Sequence, residues 1–499
     1  MNVNWRDFWF LYVAVILLAV ALVVPHSIVG YAVTLVFMAL TLFSPKNGLM
    51  LLLIYFPTRS FLMQVNPSLK IMGDAIIVIA FLRVLIDSRR DVKSIFKLHV
   101  FEWAFILFCA VGAVAGLITG VSLGAIVFQL RAFLVTFILF YVVRRLDVKK
   151  EDVLKFLWTT FIIAVVLCIH GIVEKISDRS MLMPQFWVDR MLSPNNRSRI
   201  YGLINNPNML AVFLSISFML TLYLKRLVVR ASTKGILNVG MILMLGITIL
   251  TYSRGTWIGL IIALVVYMIL TRNWRVLVQT VILGVFATAI VYYPVVKAAD
   301  AYHSQKEMEN LPPDQQPEDN GDDLEPGDNG EDQGNDKEHS AASDRLNKTF
   351  SSETLEQSSQ TGRLFIVKKG FEVFKDHPII GTGFATYGDS AAKSNPSPIY
   401  KDYDITVNIY ADNQYIVVIT ETGIIGVVLF AVFLLGMVVY LWKKRHDTVM
   451  AAPVLAVLFG ILFCGLIYNI WEDKTFTAYF FMMLGAVATG IEMRRKSLL

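Results

Sequence analysis

Charge is scarce in this chain and cysteine is nearly absent. Only 17% of the 499 residues are Asp, Glu, Lys or Arg, and there are three cysteines. Cys109, Cys168 and Cys464 all lie within apolar runs, and no pair has metal-ligand spacing. That argues against both a disulfide framework and a zinc site. No D-x-D-x-D-G pattern marks an EF-hand. No small-residue cleavage site follows the first apolar run, residues 8–24, so that run is expected to be a retained helix rather than a signal peptide. Nothing supports nucleic-acid binding.

What is present is apolar: 56% of the residues are hydrophobic. Runs of roughly 17–25 apolar residues recur, each long enough to cross a hydrocarbon core. The expected fold class is all-α, a polytopic membrane protein with about 14 spans (12–14), at 8–24, 28–43, 48–62, 71–86, 102–119, 124–143, 153–173, 207–224, 235–252, 255–271, 276–296, 413–441, 449–469 and 475–491. The third is short and interrupted by Pro57. Under this count the basic segments 88–97, 144–150, 225–234, 271–275, 443–445 and 494–496 fall on one side, the cytoplasm by the positive-inside rule. Both termini are then cytoplasmic, and 174–206 and 297–411 are outer loops.

Residues 300–344 hold fifteen acids against Lys306 and Lys337, a local charge of −13 within a chain of +6, which leaves +19 for the rest. Within the large outer loop, 300–360 is polar, acidic and expected to be disordered and solvated, whereas 361–411 is expected to be an ordered cap. The chain thus divides into 1–296 with eleven spans, the loop 297–411, and 412–499 with three spans.

The stretch from Thr361 to Gly426 concentrates the polar, glycine and aromatic residues. Phe371 and Phe374 have helical spacing, and Pro378 stops that helix. Gly381 and Gly383 permit a tight turn or close approach to a ligand. Arg131 lies about seven residues inside its span, roughly 10 Å deep, where an arginine faces either a wet cavity or, by snorkelling, the interface. Arg83, near the cytoplasmic end of its span, is expected to snorkel. Arg199 and Asn208 bracket a helix start at Asn206-Pro207 and could form an anion site or serve as ordinary cap and surface groups. Arg254 is the only charge in the turn TYSRGTWIG, and Arg363 opens the ordered part of the large loop, ahead of Lys368 and Lys369. Arginines from separate outer segments suggest a doubly charged or diphosphate ligand.

His377 is either structural or an acid–base group. Asp412 is either the N-cap of span twelve or a functional carboxylate. Asn413 and Gln414 follow it, and Glu421 shares a helical face with Gln414. An ionisable group inside a span is a functional candidate.

Four segments in order, RIYGLINNPNMLAVFL, TYSRGTWIGL, KDHPIIGTGF and ADNQYIVVITETGIIG, resemble the O-antigen ligase/polymerase superfamily over about 125–430. The resemblance implies a metal-independent inverting glycosyltransferase without cofactor. Such an enzyme moves glycan from undecaprenyl pyrophosphate to an acceptor sugar on the outer face of the bacterial cytoplasmic membrane. Its partners would be the lipid-linked donor, the glycan acceptor, the bilayer and other polysaccharide export proteins. Ligases of the family read His-Asn where this chain has Asp412-Asn413. The chain therefore looks more like the polymerase branch, and is similar to polymerases of Gram-positive surface polysaccharides such as teichuronic acid.

Under this reading Arg254 and Arg363 hold the diphosphate, with Arg131 and Arg199 as further candidates. Asp412 is the first candidate base and His377 the second. Asn208, Asn413, Gln414 and Glu421 are candidate substrate-binding groups. Ligase-type transfer to a non-polymer acceptor, a lipid-linked oligosaccharide flippase and a peptidoglycan-type polymerase remain as alternatives.

Overall fold

The computed structural model describes residues 8–309, 362–448 and 450–490, and among them every regular element is helical. Each of the fourteen apolar runs is a helix. They are α1 Trp9–Val23, α2 Ser27–Phe43, α3 Pro45–Val65, α4 Met72–Asp87, α5 Val100–Ile118, α6 Leu123–Val143, α7 Lys150–Ile176, α8 Pro207–Leu227, α9 Ala231–Leu250, α10 Arg254–Thr271 and α11 Arg275–Lys306. After α12, Arg363–Asp376, come α13 Gln414–Lys444, α14 Ala451–Cys464 and α15 Lys474–Ala488. Nine of the described helices are long and apolar enough to cross a membrane. This is a multi-pass membrane protein.

Pro57 does not break α3. A proline leaves the carbonyl four residues earlier without its helical donor. Here Tyr479 of α15 supplies one, donating its hydroxyl to the Leu53 carbonyl at 2.6 Å. Thr58 Oγ1 also donates to the Ile54 carbonyl at 2.7 Å. Neighbouring helices re-satisfying a proline's backbone is what lets such residues persist inside membranes.

The outer loop expected from residue 297 begins later. Helix α11 continues through Lys306 and packs on α7. The sequence KAADAYH favours helix by its alanines, so apolar content alone underestimated the length. Most of the acidic tract, residues 310–361, lies outside the described residues.

Helix α12 ends where the sequence demanded, with His377 as its C-cap before Pro378. The chain then plunges into the bundle and crosses α13 at a break. Gly423 in α13 has φ 58° and ψ −161°, which frees the backbone groups around it. The crossing segment satisfies them. Ile424 N–H donates to the Pro378 carbonyl at 2.8 Å, Ile425 N–H to Ile379 at 3.2 Å, and Gly383 N–H to Glu421 at 2.7 Å. A Cβ on Gly383 would lie 1.8 Å from the Gly116 nitrogen. The glycines of KDHPIIGTGF thus allow approach to two helix backbones, α13 and α5.

Phe384 follows into an aromatic core, 5.6 Å between ring centroids from both Phe108 and Phe133. Phe105, Phe433 and Trp471 extend this core across α5, α13 and the turn before α15. The crossing segment is pinned at both its backbone and its side chains.

Candidate active site

Helix connectivity places the end of α3 and the starts of α6, α8, α10, α13 and α15 at one end of the bundle. The basic segments 88–97, 144–150, 225–234, 271–275 and 443–445 all lie at the other. A cavity of about 590 Å3 opens at the first end.

One wall is basic. Arg59 of α3, Lys70, Arg131 of α6 and Lys474 of α15 all line it. Asp74 organises two of them. It accepts from Lys474 Nζ at 2.8 and 3.1 Å and pairs with Arg131 Nε. Two of the four cations share the Asp74 carboxylate and Arg59 and Lys70 stand beside them, a basic group suited to a phosphate-bearing ligand. Arg131 therefore faces a cavity and does not simply snorkel. Arg83 instead pairs with Asp87 at 3.1 Å near the opposite end of α4.

The same cavity is also lined by Asp412, Tyr410, Tyr468, Asn208, Ser390 and Ser394. Asn206 caps α8, accepting from the Asn208 and Met209 amides at 2.9 and 3.2 Å. Asn208 Oδ1 accepts from Arg199 Nη2 at 2.6 Å and from Ser253 Oγ at 3.1 Å. Both acceptor positions are then engaged, and the amide NH2 remains as donor. Arg199 also donates from Nε to the Thr251 carbonyl at 2.8 Å. It stands behind the wall and orients Asn208. Arg254 heads α10 with an exposed side chain that does not line the cavity. Its neighbour Ser253 ties into the wall through Tyr468, at 2.7 Å.

The two readings of Asp412 separate here. The N-cap of α13 is Asn413, whose side chain accepts from the Tyr415 and Ile416 amides at 3.1 Å each. Asp412 precedes the cap with φ 47°, a left-handed conformation that aspartate tolerates better than most residues. Freed from capping, its carboxylate lines the cavity with Arg363 Nη2 at 3.7 Å. Burial pushes the Asp412 carboxyl above its ordinary range, while Arg363, Lys393 and Arg199 oppose the rise. With 40% of the side chain exposed, solvent reaches it.

His377 is not near this constellation. It is exposed at the far end of the fourteen-residue α12 from Arg363, about 20 Å along the helix. Gln414 is fully buried, and its Oε1 accepts from the Trp471 amide at 3.0 Å. Glu421 is also fully buried and accepts from the Tyr387 amide at 2.9 Å. Glu421 holds the 384–411 segment, and Gln414 the 470–472 turn, against α13 rather than lining the cavity.

Sequence reasoning missed Arg59, Lys70, Lys474 and two further carboxyls. Glu472 accepts from the Ser390 amide at 2.8 Å, and burial together with nearby Asp389 pushes it up to about 8. Asp473 caps α15 through the Phe476 amide at 2.7 Å, and burial pushes it up to about 6. The available signal was the turn IWEDK, three charges in a row between two apolar runs. Among the described residues no cluster of His, Cys, Asp and Glu has the arrangement of a metal site.

A multi-pass helical membrane protein with a polar, basic cavity at one end of its bundle is the class these features define. A family model described as O-Antigen ligase matches residues 239–431, less than half of the 499-residue chain, and this similarity supports a relationship to the O-antigen ligase/polymerase superfamily. The match runs from within α9 through α10, α11 and α12 into α13, and includes Asp412 but not Arg59, Lys70, Arg131 or Lys474. No curated protein matches the chain. Glycan transfer of the ligase/polymerase type is the activity in general that the family supports.

Proposed function

We propose that the protein is a glycan polymerase. It transfers an undecaprenyl-pyrophosphate-linked oligosaccharide onto an acceptor glycan at the outer face of the membrane, in surface polysaccharide synthesis such as that of teichuronic acid. The observation that carries this reading is one cavity lined both by four basic side chains and by the half-buried carboxylate of Asp412.

In this reading Arg59, Lys70, Arg131 and Lys474 bind the diphosphate, with Arg363 at the rim beside Asp412. The acceptor hydroxyl oxygen attacks the anomeric carbon. The bond from that carbon to the phosphate oxygen breaks, and the electron pair leaves on the diphosphate. The proton goes to Asp412. A single displacement inverts the anomeric centre. The cations stabilise charge that grows on the leaving group, Asn208 and the tyrosines orient the sugars, and Asp412 serves as base. The raised proton affinity of Asp412 suits that task better than an ordinary aspartate would.

The test is elongation of a purified lipid-linked repeat unit by the purified protein, with and without a metal chelator. A ladder of polymer lengths, insensitive to chelator, is expected. A single addition to a different acceptor would mean ligase-type transfer. No bond formation combined with movement of the lipid-linked unit across vesicles would mean a flippase.

A further inference from the structure

A second polar cavity, of about 300 Å3, lies at the opposite end of the bundle from Asp412. Lys225 and Arg226 reach it from the end of α8, Lys234 from the start of α9, and Asn273, Arg275 and Gln279 from the turn and start of α11. No carboxylate lines it. None is available nearby in sequence either, since residues 190–299 contain no aspartate or glutamate.

Positive-inside topology accounts for basic residues at this end. It does not account for their enclosure. Topogenic charges only need to stay in water, as exposed Arg89 and Arg90 do. Here Lys225, Arg226 and Lys234 are half-buried around one space, where like charges repel without full screening. Lys225 Nζ donates to Asn238 Oδ1 at 2.6 Å, and the Arg226 guanidinium sits 4.9 Å from the Tyr267 ring centre. These contacts fix the cations without neutralising them. Arg226 Nη2 and Gln279 Nε2 are buried donors with no hydrogen-bond partner among the described residues. A buried donor without an acceptor is costly, and two beside four cations ask for an anionic acceptor with several oxygens.

We propose that this cavity is a binding site for a phosphate group, independent of the glycan-transfer site. Two sources share that chemistry. One is the headgroup phosphate of an anionic membrane lipid, which basic pockets between helices are known to hold. The other is a free phosphate or pyrophosphate.

The experiment uses full-length protein in nanodiscs of phosphatidylcholine, titrated with short-chain phosphatidylglycerol or with inorganic pyrophosphate. Binding is followed by calorimetry and by the rise in Tm. Saturable binding of at least one probe is expected. The double variant Arg226→Gln/Lys234→Gln should weaken it at least tenfold, and the Arg89→Gln/Arg90→Gln control should not. Arg275→Gln alone, at an exposed position, should weaken it by roughly threefold and serves if the double variant does not fold. Phosphatidylglycerol alone binding identifies a lipid site, and pyrophosphate binding or competing identifies a site open to free phosphates. No saturable binding of either probe to the wild-type protein, or equal weakening in the control, overturns the proposal.

Discussion

At the scale of single residues the decisive position is Asp412. Because Asn413 does the capping, Asp412→Asn should leave stability nearly unchanged, and asparagine also tolerates the left-handed backbone. Turnover should fall by roughly 10²–10⁴, the usual contribution of a general base. The check is polymer length from lipid-linked units alongside the Tm of the purified variant. Wild-type polymer from Asp412→Asn would remove Asp412 from the chemistry. Arg363 gives a second, directional test. Its guanidinium opposes the burial-driven rise in the Asp412 proton affinity. Only ionised Asp412 accepts a proton, so activity should drop as pH falls through its raised value. Arg363→Ala should move that acid limb to higher pH. The exposed pair contributes only roughly 0–1 kcal/mol to folding, so the shift should appear without a matching loss of stability. An unmoved pH profile would mean that Arg363 does not influence the base. Asp412 and Asn208 stood out as charged or amide groups beside helix starts, and Arg131 as a charge in the middle of an apolar span. Their cooperation with Arg59, Lys70 and Lys474 was not. Lys474 lies more than 400 positions from Arg59 and Lys70, and only the packing of α15 against α3 and α6 brings it to them.

At the scale of elements, the broken helix α13 and the segment crossing it form the support on which Asp412 stands. Span positions could be read from hydropathy because lipid imposes a length on each helix. The break could not, because GTGF and ETGIIG read equally well as ligand loops or as close-packing glycines. Gly423 decides it. A side chain there would have to adopt φ 58° and ψ −161°, with its Cβ 2.5 Å from the Ile379 carbonyl. Conformations of this kind cost on the order of 1–3 kcal/mol for a residue with a side chain, and the backbone contact adds to that. Gly423→Ala should therefore displace the 378–383 segment and reduce folded protein in the membrane. Gly124→Ala, where a Cβ meets nothing within 4 Å, should not. Comparing monodisperse yield and Tm of the two variants checks this. Equal stability would show that the crossing segment is not held by the break.

At the scale of the whole molecule, every site residue lies at one end of the bundle and the basic segments at the other. Outward orientation of the cavity is what the positive-inside rule leads one to expect, and it is testable. The three native cysteines are buried, so background labelling should be low. A cysteine at exposed Ser394, on the cavity wall, should react with an impermeant thiol reagent from outside the cell, and one at exposed Ser232 should not. The reverse result would invert the topology. Burial at the cavity floor has a further consequence for stability. Glu472 moves from its ordinary 4.5 to about 8 in the folded protein. Between those values the folded state binds more protons than the unfolded one, so stability falls as pH rises through that window. The Tm in detergent should therefore decline from pH 5 to pH 8. Glu472→Gln keeps the shape and an acceptor for the Ser390 amide but cannot ionise, so its Tm should vary less over the same range. A wild-type Tm that rises with pH, or a variant with the same slope, would show that Glu472 is not held protonated by the fold.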